Sequence, residues 1–140
     1  MPWWFYAVVS ALAAAGTAVL AKVAVEGIPS NLATAVRTVV VLGFSWLMVL
    51  LTRQHDALGA LRGRPLLFLV LSGVATGVSW LAYFKALQLA PASRVAPLDK
   101  LSLAFTVILA ATALGEQVSA RTWVGVALMV LGALLTLGRG

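Results

Sequence analysis

Long uninterrupted apolar runs alternate with short polar links along this chain. A transmembrane barrel would show short segments of alternating character instead. The runs predict five membrane-spanning helices, at about 3–24, 32–52, 65–89, 94–114 and 121–137. Trp3, Trp4 and Tyr6 open the first with an aromatic anchor, and Lys22 near its end is placed to snorkel to the surface. Its alanine-rich middle, Ala11 to Ala18, offers a small-residue surface to another helix. Gly27 and Pro29 break the chain, and Ser30 or Asn31 is expected to cap the second helix. That helix carries Arg37 and Trp46. The stretch 53–64 is the most polar of the sequence and reads as a surface loop, with His55 solvated rather than catalytic.

Pro65 suits the first turn of the third helix, which contains a Gly73-x-x-x-Gly77 pair and then Trp80, Tyr83 and Lys85. Lys85 reads as a second snorkelling anchor. Pro91-Ala92-Ser93 makes a tight turn into the fourth helix, which Gly115-Glu116 ends. Ser119 begins the cap of the fifth, Trp123 anchors it, and Gly125 and Gly132 lie seven residues apart on one face.

Composition narrows the class. Of 140 residues, 62% are hydrophobic and 10% charged, with a mean hydropathy of +1.04. A soluble domain carries about 25% charged residues, so the expectation is an all-α integral membrane protein, the backbone satisfying its own hydrogen bonds in lipid. The absence of cysteine excludes disulfides and thiolate metal sites, and with one His and four acids no metal or other cofactor is expected. The net charge of +6 sits mostly at helix ends, as bilayer anchors rather than a nucleic-acid surface. With no basic stretch before Trp3, a cleaved signal peptide is not expected.

Five spans place the termini on opposite sides. Arg53, Arg62, Arg64 and Arg121 fall on one side; Lys22, Arg94 and Arg139 fall on the other, with Lys85 nearby. So even a division puts the N-terminus in the cytoplasm only weakly and permits insertion both ways. Many transporters are built from two inverted repeats around a midplane site. A second five-helix copy is lacking here, so the chain reads as half of such a transporter, its other half an inverted second subunit.

One span breaks the apolar rule. Asp99 and Lys100 lie in the first third of the fourth helix, where each costs up to roughly 2.5–3.5 kcal/mol and each neighbouring Leu or Phe returns roughly 0.3–0.6. On a straight helix the two side chains diverge by about 100°, so mutual pairing is not expected. Asp99 shares a face with Ser102 and Thr106, a polar stripe suited to a cavity; Lys100 should seek a counter-charge elsewhere. Pro97 loosens the hydrogen-bond ladder just before them. Asp99, Lys100, Ser102, Thr106, Arg37, Trp80 and Tyr83 are the candidate substrate- or ion-binding residues, Asp99 taking a proton or a cation. The competing reading is a structural ion pair.

The stretch Trp80-Leu81-Ala82-Tyr83-Phe84-Lys85-Ala86-Leu87-Gln88-Leu89-Ala90-Pro91-Ala92-Ser93, followed by Pro97-Leu98-Asp99-Lys100-Leu101-Ser102, Leu114-Gly115-Glu116 and Trp123-Val124-Gly125, resembles the EamA-type domain of the drug/metabolite transporter superfamily, and more closely its five-helix, single-domain bacterial and archaeal members. Arg37 fits the same pattern. The resemblance covers essentially the whole chain, 1–140, as a single domain. It implies export of small metabolites or drugs by a multi-pass protein of the inner cell membrane. Related four-helix transporters carry an essential acid in their first helix; Ala13 to Gly16 holds none. Gly125 and Gly132 look like the glycine-spaced dimerisation face of those proteins' last helix. The expected activity is alternating-access transport as an inverted, dual-topology homodimer, or with a paralogous five-helix partner. The alternatives are a non-transporting membrane partner or assembly subunit, and a lipid-carrier flippase component. No nucleophile–base or metal constellation points to an enzyme.

Overall fold

The structure, a computed structural model, describes residues 2–137. Arg139, counted above among the anchoring charges, lies outside the described residues. Among these, six α-helices and one 3-10 helix make up the secondary structure: α1 Trp3–Ala24, α2 Ser30–Leu51, a 3-10 helix Gln54–Ala60, α3 Arg64–Leu89, α4 Ala92–Asp99, α5 Ser102–Ala113 and α6 Ala120–Leu135. α1, α2, α3 and the α4–α5 stretch Ala92–Ala113 are each long and apolar enough to cross a membrane. α6 is apolar but has 16 residues, against the roughly 20 that cross a hydrocarbon core squarely.

The expected count of five helices therefore needs correction at its fourth member. Pro97 sits inside α4 and has no N–H to give. Beyond it the ladder tightens: Lys100 N–H bonds the Pro97 carbonyl at 3.1 Å, Leu101 that of Leu98 at 3.0 Å, Leu103 that of Lys100 at 3.0 Å and Ala104 that of Leu101 at 3.0 Å. These i to i−3 bonds are a 3-10 turn set into an α-helix, a pattern that marks a hinge or local strain. One apolar segment thus becomes two helices joined at Lys100–Leu101.

Two smaller expectations also change. Pro29 is the N-cap of α2, and no side chain caps it. Ser30 is already helical and buried, with its carbonyl taken by Thr34 Oγ1 at 2.9 Å. The 53–64 stretch is exposed, yet it contains the 3-10 helix. Arg53 enters that helix with φ 54, and Gly63 leaves the link with φ 65, a left-handed conformation that glycine adopts freely.

Two compact units emerge, Met1–Leu20 with Leu89–Gly140, and Ala21–Gln88. In the second, the buried residues are Ala21 and Val25, then Ser30, Ala33 and Thr34 at the start of α2, and Phe84 and Leu87 near the end of α3. Polar bonds tie these ends together. Lys22 Nζ donates to the Leu87 carbonyl at 2.8 Å, and Gln88 Nε2 to the Ile28 carbonyl at 3.0 Å. Lys22 is half-buried, so it turns inward onto the carbonyl end of α3 rather than out to the surface. The attraction follows from the negative pole of a helix C-terminus. Lys85 is exposed and holds Gln88 Oε1 at 3.2 Å.

In the first unit, α6 contacts both α4 and α5, and Val95 and Ala133 are buried. Gly115, at φ 68, turns the chain out of α5 while Glu116 N–H bonds back to the Ala110 carbonyl at 3.1 Å. Ser119 then caps α6, its Oγ accepting from Thr122 N–H at 3.2 Å. Elsewhere the spans present Leu12, Leu20, Val39, Phe44, Phe68, Val74, Leu109 and Leu128 with most of their surface uncovered. Such surface suits lipid, which is as apolar as the side chains themselves.

Candidate functional site

Polar groups inside an apolar span must find partners nearby. The hydroxyls do so locally. Thr17, Thr34, Thr38, Thr76, Thr106 and Thr112 each donate to the carbonyl four residues earlier, at 2.8–3.0 Å. Thr106 therefore spends its proton on Ser102, and only its oxygen lone pairs remain for a ligand.

Asp99 is the last residue of α4 and Lys100 its C-cap. Contrary to the expectation for a straight helix, they pair: Lys100 Nζ stands 3.4 Å from Asp99 Oδ2. The long, flexible lysine stem closes the angle that a helix leaves between neighbours. The pair is not sealed off. Lys100 retains 54% and Asp99 37% of its side-chain exposure. Residues three apart eclipse in a 3-10 turn, so Ser102 stays on the Asp99 side despite the changed winding. What results is an accessible acid–base pair at an interrupted point of a span.

In the other unit a second group assembles. Arg37 lies seven residues into α2, about 10 Å along its axis. Its guanidinium carbon stands 4.1 Å from the ring centre of Trp80 and 5.6 Å from that of Phe84, within cation–π range. Arg37 and Trp80 were both singled out by the sequence, and the structure brings them together. Phe84 was not, although its position four residues after Trp80 puts it on the same face of α3. Tyr83, half-buried on α3, takes no part in this stack.

Gly125 is half-buried and Gly132 exposed on α6. A Cβ added at either would meet no atom within 4 Å, and the same holds at Gly73 and Gly77. Close packing inside the chain therefore demands glycine at none of the four. Among the described residues, no group of three or more His, Cys, Asp or Glu is arranged to hold a metal ion.

Among the described residues the secondary structure is all helical, with four long apolar spans and Arg37, Asp99 and Lys100 part-way along them, which defines a multi-pass membrane protein. The chain belongs to the EamA-like transporter family, whose model it matches over residues 1–138. It is also 51% identical over 133 residues to a Sinorhizobium sp. protein called an uncharacterized transporter in the cobO 3' region, a match covering 95% of this chain and 94% of that one. No solved structure matches it. The protein is thus a membrane transporter for small molecules and not an enzyme.

Proposed function

We propose that the chain is one half of an inverted-repeat exporter of small metabolites or drugs, working by alternating access as a dual-topology homodimer in the inner cell membrane. On this reading α6 is the fifth span and the two copies lie antiparallel, each supplying one repeat. The observation that carries the reading is the accessible Asp99–Lys100 pair at the interruption between α4 and α5. Interrupted helices recur at transporter binding sites, because freed backbone groups and charges there face a cavity instead of lipid.

Asp99 is assigned the coupling role. It binds a proton or a substrate cation in exchange, with Lys100 as the competing internal cation. Ser102, and the oxygen of Thr106, extend the polar side of α5. Gly125 and Gly132 supply the subunit contact, which agrees with the open space in front of them.

The test is transport by the reconstituted protein in vesicles across a pH series. Asp99→Asn is expected to abolish the dependence of rate on the proton gradient and to lower the rate itself by at least about tenfold, the scale typical of losing a positioned proton-transfer group. A variant that transports as the native chain does, with the same pH profile, removes Asp99 from the mechanism.

A further inference from the structure

We propose that Arg37 binds the oxyanion of a small solute, a carboxylate or a phosphate, and that the exported substrates carry such a group. The inference deepens the transporter reading above and rests on it for the word substrate, though not for the binding site.

The aromatic contacts leave the hydrogen-bonding capacity of Arg37 unused. A guanidinium is planar and carries five N–H donors around its edge. Lying over Trp80 at 4.1 Å and near Phe84 at 5.6 Å engages its charge. Ring faces accept no in-plane hydrogen bond, so that edge is left over. Among the described residues, Arg37 makes neither a hydrogen bond nor an ion pair; the ion pairs there are His55–Asp56 and Lys100–Asp99. No buried side-chain nitrogen lacks a partner in the described structure. Because Arg37 is half-buried and bonded to nothing, its nitrogens must be open to an incoming group.

Depth makes this arrangement unstable without a ligand or water. Arg37 lies about 10 Å from the start of α2, and Trp80 lies nine residues before the end of α3, about 13 Å along it. Charges at such depth are costly unless paired or wetted. The structural carbonyls near this end are already claimed: Leu87 by Lys22, Ile28 by Gln88 and Ser30 by Thr34. The unit has two acids, Glu26 in the α1–α2 link and Asp56 in the 3-10 helix of the 53–64 link, and both are exposed and outside the long apolar spans. A guanidinium seated over aromatic rings, with no hydrogen-bonded or carboxylate partner among the described residues, has donors whose fork matches a carboxylate or phosphate.

The experiment is calorimetric titration of the native chain in zwitterionic phosphatidylcholine nanodiscs. Inorganic phosphate and succinate are the probes, and tetraphenylphosphonium is the cationic control. Saturable binding of at least one anion is expected, weakened about tenfold or more in Arg37→Gln, the scale of one charge-assisted hydrogen-bonding group. Arg37→Lys preserves the charge without the planar fork. It should fold even if Arg37→Gln does not, and should bind more weakly than the native chain. Absence of saturable anion binding by the native chain, or equal affinity in both variants, overturns the proposal. Repeating the titration in phosphatidylglycerol nanodiscs separates the two sources of an oxyanion. Undiminished solute binding supports a solute site; loss of solute binding, with lipid retention that depends on Arg37, assigns the site to a headgroup and overturns it. A chain that binds anions but moves nothing sinks only the transporter reading. One that transports without binding either anion sinks only this inference.

Discussion

Lys22 shows how one side chain can change its role with its surroundings. Its position at the end of an apolar run is that of a snorkelling anchor, yet its ammonium donates to the Leu87 carbonyl at 2.8 Å. A hydrogen bond from a charged group contributes about 1.5–3 kcal/mol. Lys22→Met keeps the apolar stem and removes the donor. It should lower the stability of the solubilised protein by about that amount, read as a drop in melting temperature, while Lys85→Met, at an exposed site, should leave it nearly unchanged. The sequence held Lys22 but not its partner, because a carbonyl 65 positions away becomes a neighbour only through the return of α3. The same holds at Arg37: the residue was legible as a candidate, and its aromatic seat on α3 was not. Phe84 could have been found by asking which residue shares a helical face with Trp80.

At the level of elements, apolar run length read the helices well, since a lipid-embedded backbone has few alternatives to helix. Local winding was harder to read. Pro97 announced a weakened ladder, but the resulting i to i−3 turn at Lys100–Leu101 depends on how the following residues relax, which no residue type dictates. Pro97→Ala returns a donor and removes the ring clash. The variant should show slower amide exchange at Lys100 and Leu101 and a higher melting temperature. If the turn serves the transport cycle, rates should fall in the same variant. Faster transport together with a regularised helix would separate the turn from function.

For the whole molecule, the fold leaves glycines in front of empty space. Sequence spacing marked Gly125 and Gly132 as a contact face but not what covers it. Gly125→Ala and Gly132→Ala each add a Cβ that meets nothing in the chain within 4 Å, so the monomer should fold as before. Association, measured by cross-linking or single-molecule photobleaching in the bilayer, should fall sharply if this is the subunit contact. Mapping the side on which each terminus lies, within one cell population, tests the inverted arrangement directly. A mixed result is expected, and a single fixed side rules out an antiparallel homodimer.

The geometry of the tightened turn also limits how far rewinding it would move the chain. A 3-10 segment rises about 2.0 Å per residue and an α-helix about 1.5 Å. If the four residues from Lys100 to Leu103 rewound into α geometry, that span would shorten by only about 2 Å and rotate by about 80°. Such a rotation would swing Asp99 to a different side of the segment that follows it. The stroke is short against a hydrocarbon core of about 30 Å, so rewinding of this turn is too small by itself to carry cargo from one face to the other.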